Sequence, residues 1–307
     1  MSSTDPWIHA ERLKKAKRTK ANHRLTGAIE GIVFNEMNER NEERDTEHLH
    51  PSEMAKNDWC LRQSYYKMTK EKESNPESTA NFRRMNIFAE GHAIHDKWQE
   101  WLRRAGILWG NWKCIGCYDT WEALAPAHCP SCGNTRTVRY AEVPLYSKKY
   151  HIIGHTDGVV RDDEGEALLE IKSVGLGTIR WDAPQMYEAY EDGRIDLDEL
   201  WKRIKRPLAA HNRQIQLYMF ILGIHKAVVI YEWKPTQEVR EFKVDLDMEV
   251  VQPLLDGALA VQDSLKDKVP PLRFSGATRS SKACRFCPYK TTCYDSETAA
   301  SKDWPDV

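Results

Sequence analysis

The chain has 307 residues, of which 41% are hydrophobic and 30% charged, and a formal net charge of −1. This length and composition are typical of a soluble globular protein with a full core, and they exclude a peptide-sized scaffold and a largely disordered chain. The net charge near zero provides no overall attraction to nucleic acid, so DNA binding would need local basic patches.

Residues 1–49 are predicted to form a polar, basic arm. The first residues, MSSTDPWIHAERLKKAKR, lack the apolar core of a signal peptide, and no apolar run approaches the roughly 20 residues of a membrane span. We therefore expect a cytoplasmic protein without a membrane partner. Seven Lys or Arg residues lie from Arg12 to Arg24. They form either a DNA-binding patch or the solvated face of a helix, and the pattern fits both.

Residues 50–112 are predicted to be helical, with the charged loop TKEKESNPESTAN between two helical parts. In the second part, NIFAEGHAIHDKWQEWLRRAG, apolar residues recur near helical spacing, among them Ile94 and Trp98. His92 and His95 lie on the same helix. A histidine on a tryptophan-bearing helix is more often structural than functional, so the helix alone gives neither of them a role.

Residues 113–140 carry four cysteines in a C-x2-C-x11-C-x2-C pattern: Cys114, Cys117, Cys129 and Cys132. Two close pairs separated by about a dozen residues are typical of a tetrahedral structural zinc site. The segment is polar and rich in turn-forming residues, so a metal is expected to organise it. In a reducing compartment, the eight cysteines of the chain favour metal ligation over disulfides. This ribbon either grips DNA or braces a long connection.

Two β-rich runs, YHIIGHTDGVV and EALLEIKSV, are predicted to form a hairpin with a four-residue polar loop. If Arg161 faces Glu166, counting outward places Asp157 opposite Glu170. Like charges at opposed positions are destabilising, and a hard cation such as Mg²⁺ relieves the repulsion by binding carboxylate oxygens. Lys172 shares the face of Glu170 because alternate residues of a strand point the same way. The alternative is a half-exposed hairpin on which Lys172 is simply a counter-ion.

The remainder of residues 141–275 combines helices and strands. A helical stretch near 180–223 precedes the strands KAVVIYEW and EVREFKVDL, and a helix follows near 247–266. The first helical stretch carries a second basic cluster, which again fits a DNA-binding patch or a solvated face. The cluster consists of Lys202, Arg203, Lys205, Arg206 and Arg213.

Residues 276–307 are predicted to form a cysteine-bearing tail. Cys284, Cys287 and Cys293 follow a C-x2-C-x5-C pattern, and Cys60 is the only cysteine upstream of the ribbon. Three cysteines plus one make a tetrathiolate set. Such a set holds zinc or an iron–sulfur cluster, and the ligand type alone does not separate the two.

An Asp followed by Glu-x-Lys on a hairpin resembles the PD-(D/E)XK nuclease superfamily, and this stretch is similar to its RecB-type branch. That branch has a His upstream on a helix after a Gly, which EGHAIHDKW matches with Gly91 and His95. It also has Gln-x-x-x-Tyr on the helix after the Glu-x-Lys strand, which RQIQLYMF matches with Gln214 and Tyr218. His92 is the nearest competitor of His95. The resemblance implies an α/β, restriction-endonuclease-like fold with a mixed sheet flanked by helices.

The same resemblance implies the roles of the site residues. Mg²⁺ or Mn²⁺ is expected to be held by His95, Asp157, Glu170 and the carbonyl of Ile171. Lys172 is expected to position the attacking water or to stabilise developing charge. Gln214 and Tyr218 are expected to orient Lys172 and the DNA backbone.

One cysteine before the nuclease motifs and three after them resemble the iron–sulfur subgroup of RecB-like nucleases. This subgroup includes the fourth CRISPR-associated nuclease family and the AddB subunit of bacterial recombination nucleases. The resemblance favours a [4Fe–4S] cluster over zinc at Cys60, Cys284, Cys287 and Cys293. Such a cluster would clamp two distant parts of the chain, where closing a long loop removes much unfolded-state entropy. The zinc ribbon departs from the compact members of the family.

The function that the resemblance implies is metal-dependent hydrolysis of DNA, most simply as an exonuclease on single strands or ends, in DNA recombination or repair. Two alternatives stay open at this point. One is an endonuclease that uses the ribbon for recognition of a structure or sequence. The other is a DNA-binding or assembly protein with a vestigial nuclease fold. The sequence identifies no protein partner.

Overall fold

The computed structural model describes residues 25–26, 29–33, 45–71 and 82–295. The basic patch from Arg12 to Arg24 and most of the charged loop at 69–81 lie outside the described residues. Leu49, assigned to the N-terminal arm by the sequence, is instead 2% exposed and bridges to Ile152. The arm therefore ends earlier than predicted, because this leucine joins the core.

The described helices and strands alternate over most of the chain. The helices are α1 (Pro51–Met54), α2 (Leu61–Met68), α3 (Phe82–Arg104), α4 (Leu176–Asp182), α5 (Pro184–Glu191), α6 (Leu197–Arg203), α7 (Ala209–Leu222), α8 (Met248–Asp267), α9 (Lys282–Arg285) and α10 (Lys290–Asp295). The strands are β1 (Leu108–Cys114), β2 (Thr120–Leu124), β3 (Val138–Tyr140), β4 (Val143–Ser147), β5 (Ile152–Thr156), β6 (Gly158–Asp162), β7 (Gly165–Val174), β8 (Lys226–Trp233) and β9 (Val239–Asp245).

Seven strands form one mixed sheet in the order β2-β1-β6-β7-β8-β9, with β3 paired to β1. Strands β7 and β8 are parallel, and the other pairs are antiparallel. The parallel pair needs a long crossover, which α4 to α7 supply. Strands β4 and β5 form a separate two-stranded sheet. The predicted α/β fold with a mixed sheet flanked by helices is confirmed at this level.

Two hydrophobic cores cover the two faces of the main sheet. Leu168 and Val174 of β7 belong to the larger core, together with residues of α7 and α8. Leu169 and Ile171 belong to a smaller core with Ile94 of α3. Because side chains alternate across a strand, the even-numbered residues between 168 and 174 face the side of α7.

The prediction that residues 50–112 are helical is wrong at the C-terminal end of this range, where α3 ends at Arg104 and a strand follows. Strand β1 begins at Leu108 and alternates between more and less buried positions, which is the period of a strand. The ribbon is also not a separate unit, because its flanking strands β1 and β3 belong to the main sheet. The sheet therefore starts before residue 141, the start that the sequence suggested. Trp112, fully buried in the smaller core, anchors this extension.

No helix among the described residues is long and apolar enough to cross a membrane.

Candidate active site and candidate metal centres

The predicted hairpin forms with the predicted register, since Arg161 pairs with Glu166. Its turn is shorter than the predicted loop, because Asp162 and Gly165 also pair and close it. The run before the turn is not one strand. It divides into β5 and β6 at Asp157, which belongs to neither. Asp157 therefore takes no part in the β6–β7 pairing, which begins with Gly158 opposite Leu169, the residue before Glu170.

Asp157 connects the hairpin to helix α3. Its Oδ1 lies 3.0 Å from His95 Nδ1, and its Oδ2 accepts a hydrogen bond of 2.6 Å from the backbone N–H of Ile171. Its backbone carbonyl accepts a hydrogen bond from Gln99, one helical turn after His95. His92 is exposed. The geometry therefore selects His95 over its neighbour, and Ile171 contributes its N–H here.

Glu170 and Lys172 form a buried ion pair that leads to helix α7. Lys172 Nζ lies 2.6 Å from Glu170 Oε1 and donates to Gln214 Oε1 at 3.1 Å. Gln214 Nε2 donates in turn to the Tyr218 hydroxyl oxygen at 2.6 Å. The spacing of four residues places Gln214 and Tyr218 on one helical face. The structure thus brings all six predicted catalytic side chains into two connected groups.

The electrostatics of the site reflect its burial. Burial raises the pKa of Glu170 against the opposing effect of Lys172. Burial acts to lower the pKa of His95, but the hydrogen bond and charge of Asp157 raise it overall. Glu170 Oε2 is buried and has no hydrogen-bond partner among the described residues. A buried carboxylate oxygen without a partner is costly, so this atom is suited to a ligand.

Sequence reasoning missed Glu142. Its carboxylate, His95 and Asp157 offer ligand atoms that all lie within 4.8 Å of one another. The sequence signal was weak, an acid directly before the alternating strand VPLYS, with no spacing that relates it to Asp157. One imidazole with several carboxylates is a donor set that suits Mn²⁺ and, through its oxygens, Mg²⁺. The residues present therefore fit the divalent cation predicted from the sequence.

The four ribbon cysteines converge as predicted. Cys114 Sγ and Cys132 Sγ are 3.7 Å apart, and Cys117 Sγ and Cys129 Sγ are 3.6 Å apart. A tetrahedral zinc site with Zn–S bonds of about 2.3 Å has edges of about 3.8 Å, so these separations fit one zinc ion. Thr137 Oγ1 lies 3.0 Å from Cys114 Sγ and lowers the pKa of that thiol to about 6.

The other four cysteines line one pocket between α2 and the tail: Cys60, Cys284, Cys287 and Cys293. Burial raises the pKa of the Cys287 thiol to about 11, and the other three cysteines contribute to the shift. In the described part of the chain, these four sulfurs do not all lie within 4.8 Å of one another, unlike those of the ribbon. Four thiolates around one pocket form a donor set that suits zinc or an iron–sulfur cluster.

The second basic cluster is not one free patch. Lys202 and Arg203 form ion pairs with Asp198 and Glu199, four residues earlier on α6. Arg213 instead donates to the backbone carbonyl of Ala55 beside α1. The contacts of Lys202 and Arg203 fit a solvated helix face, and that of Arg213 is a structural contact.

No protein-family model and no curated protein sequence matches the chain. Solved structures give weak similarities. The crystal structure of SSO0001 is 13% identical over 93% of this chain and 96% of that chain, with a TM-score of 0.36. The alkaline exonuclease LHK-Exo from Laribacter hongkongensis is 12% identical over 72% of this chain and 89% of that chain, with a TM-score of 0.39. Its complex with dAMP gives 11% identity over the same shares and a TM-score of 0.38. TM-scores of this size do not by themselves establish a common fold.

Proposed function

We propose that this protein is a divalent-metal-dependent nuclease of the PD-(D/E)XK type that hydrolyses phosphodiester bonds in DNA. The observation that carries the proposal is the convergence of four residues from three separate parts of the chain. His95 comes from α3, Asp157 from the strand break, and Glu170 and Lys172 from β7. Within this group, one buried carboxylate oxygen of Glu170 has no partner among the described residues.

The side chains have separable roles in this proposal. His95, Asp157 and Glu170 hold the cation, and the N–H of Ile171 fixes the orientation of the Asp157 carboxylate. A bound divalent cation supplies Lewis-acid polarisation of the phosphate and lowers the pKa of the attacking water. Lys172 holds the water or the developing negative charge on the phosphate. Gln214, fixed by Tyr218, accepts from Lys172 and so limits the directions in which its ammonium points.

The tail and the ribbon are proposed to carry their own metals. A [4Fe–4S] cluster at the Cys60 pocket is supported by the four thiols that line one pocket and by the order of the cysteines, one before the nuclease motifs and three after them. Structural zinc in the ribbon is supported by sulfur separations that match a tetrahedral ion. Neither group contributes a ligand to the catalytic residues, so both are assigned structural roles.

The finer proposal is an exonuclease that acts on single strands or ends. End-labelled linear and covalently closed circular single-stranded DNA are digested in Mn²⁺ by anaerobically purified protein. The matched variant is Glu170→Gln combined with Lys172→Met, which removes both charges of the buried pair and so avoids leaving one uncompensated.

We expect wild type to degrade linear DNA and to leave circles intact. The double variant is expected to be folded and inactive. Cleavage of circles would replace the exonuclease with an endonuclease. DNA binding without any cleavage in Mn²⁺ would contradict the proposed nuclease. Equal cleavage by the double variant would show that the activity comes from another site or a contaminant.

A further inference from the structure

Glu142 lies beside Asp157 at the end of the small sheet. Val143 pairs with Thr156 in the β4–β5 ladder. Glu142 directly precedes Val143, and Asp157 directly follows Thr156. The two carboxylates therefore occupy neighbouring positions where this antiparallel ladder ends. With Glu170 on β7, Asp157 has an acid on each of two sides, an arrangement that is repulsive unless a cation lies between them.

The backbone at Glu142 is held in an unusual conformation. Its φ is +58°, in the left-handed region that costs a residue other than glycine about 1–3 kcal/mol at such positions. The strand β1 fixes this conformation from one side. Ala141 N–H donates to Asn111 O at 2.8 Å, and Asn111 N–H donates to Glu142 O at 3.4 Å. Strain of this kind persists only where the surrounding structure imposes it.

The side chain of Glu142 is directed into the candidate cation site. Its ligand atom and those of His95 and Asp157 lie within 4.8 Å of one another. Burial and the charge of Asp157 raise the pKa of Glu142, while His95 and a hydrogen bond from Gln99 act against this rise. Gln99 also donates to the backbone carbonyl of Asp157, which ties Asp157 to α3.

A second observation at the same place is independent of this cluster. The Oε2 atom of Glu170 is buried and lacks a hydrogen-bond partner in the described part of the chain, and Glu170 directly precedes Ile171, whose N–H binds Asp157 Oδ2. Its Oε1 is already bound to Lys172. A buried polar atom of this kind indicates a ligand that the protein alone does not supply.

We propose that Glu142 is a further carboxylate ligand of the catalytic divalent cation, and that the zinc ribbon positions it. This inference rests on the proposed function for the identity of the cation. The sequence left open whether the ribbon grips DNA or braces a long connection, and this inference favours the brace.

The covalent path from the ribbon to Glu142 is short and hydrogen-bonded throughout. Thr137 contacts the zinc ligand Cys114 through its hydroxyl and accepts from Ile115 through its carbonyl. The next residues form β3, which pairs with β1. Chain direction then leads through Ala141 to Glu142. If the zinc site is lost, β3 keeps its pairing with β1 but loses the constraint on its start at Thr137, and the strained backbone at Glu142 can relax.

The test is Mn²⁺ binding to the full-length protein loaded with zinc and cluster, measured by titration calorimetry and by the electron paramagnetic resonance signal of free Mn²⁺. Glu142→Gln is compared with wild type and with Asp157→Asn. The control is Glu122→Gln, because Glu122 is exposed and pairs with Asn111 from the other edge of β1. We expect Glu142→Gln to weaken Mn²⁺ binding by about 10- to 100-fold, since even partners that only orient a ligand have effects of this size.

A double-mutant cycle tests the ribbon. Cys117→Ser is measured alone and together with Glu142→Gln. If the ribbon acts through Glu142, the two substitutions are non-additive, and Cys117→Ser has little further effect once Glu142 is replaced. Thr137→Val, which removes the contact to Cys114 but keeps all four cysteines, provides the second variant in case Cys117→Ser does not fold.

The outcomes separate this inference from the proposed function. Unchanged Mn²⁺ affinity in Glu142→Gln, with affinity lost in Asp157→Asn, overturns the ligand role of Glu142 and leaves the nuclease standing. If Glu142→Gln binds Mn²⁺ more weakly than wild type, but wild type cleaves no DNA, the ligand role of Glu142 is supported and the proposed nuclease is overturned. Fully additive effects in the cycle overturn the role of the ribbon as a brace. Absence of Mn²⁺ binding to wild type overturns both.

Discussion

At the scale of single residues, the buried pair of Glu170 and Lys172 is the most constrained feature of the candidate site. Glu170 is 2% exposed, and Lys172 bonds to it and to Gln214. Removal of one partner of a buried ion pair leaves an uncompensated charge, whereas removal of both is often tolerated. The pair therefore links the catalytic geometry to the stability of the fold.

The first prediction is that Lys172→Met lowers the free energy of unfolding by about 3 kcal/mol, within the range for one broken buried pair. Addition of Glu170→Gln to this variant is expected to restore most of the loss, because the buried negative charge is then also removed. Urea unfolding followed by tryptophan fluorescence measures both changes. An equal loss in the single and double variants would show that packing, not charge, determines the effect. Lys202→Met, on an exposed helix position, is the control.

At the scale of elements, helix α7 meets strand β8 through a buried histidine. His211 Nδ1 contacts the hydroxyl of Tyr231, which also accepts from the backbone N–H of Leu208. Burial lowers the pKa of His211 to about 3, and the charge of Lys172 adds to the shift. The folded protein therefore holds this ring neutral under conditions in which the unfolded chain protonates it.

The second prediction follows from this shift. Between pH 6.5 and about pH 3 the unfolded state binds the His211 proton and the folded state does not, so stability falls as the pH decreases through this range. His211→Gln removes this contribution. Relative to wild type, the variant is expected to gain about 2 kcal/mol on going from pH 7.5 to pH 4.5.

Thermal unfolding of both proteins at the two pH values measures this relative gain, and the comparison cancels acid effects that they share. His225→Gln provides the control because His225 is exposed. A constant difference between His211→Gln and wild type at both pH values would contradict a neutral buried ring.

At the scale of the whole molecule, the cysteine pocket joins the tail to helix α2 across more than 200 residues of chain. The pocket has its own small aromatic core of Tyr65, Tyr66 and Tyr289. Arg62 adds a hydrogen bond of 2.8 Å to the carbonyl of Pro271. A link across a loop of this length restricts the unfolded state strongly, because loop-closure entropy grows with loop length.

The third prediction rests on the proposed cluster and zinc site: Cys287→Ser removes the iron, keeps about one zinc per chain, and lowers the free energy of unfolding by about 4 kcal/mol, as expected for a cross-link over a long loop. Metal analysis, unfolding curves and trypsin digestion measure the three effects, with new cleavage expected between residues 268 and 285. Cys117→Ser is the matched control and should lose zinc while it keeps iron. Retention of iron by Cys287→Ser would contradict the four-cysteine assignment.

The sequence predicted local features well where one pattern suffices. The register assumed for the hairpin, with Arg161 opposite Glu166, is the observed one, and the four ribbon cysteines converge as their two close pairs indicate. It failed where distant segments decide the outcome. Most of strand β1 was assigned to the helical part that ends at residue 112, and its strand character comes from pairing with β2, β3 and β6. Short apolar runs fit a helix and a strand equally well until a partner is known.

The sequence by itself determined which groups are the candidates for chemistry: an Asp and Glu-x-Lys on a hairpin, a histidine on an upstream helix, and two sets of four cysteines. These are properties of residue type and spacing, which the chain carries before it folds. The tertiary structure alone decided that His95 and not His92 contacts Asp157, that Glu142 joins them, and that Lys202 and Arg203 are paired within α6. Such contacts depend on how separate elements pack against one another, and no local pattern encodes their distances.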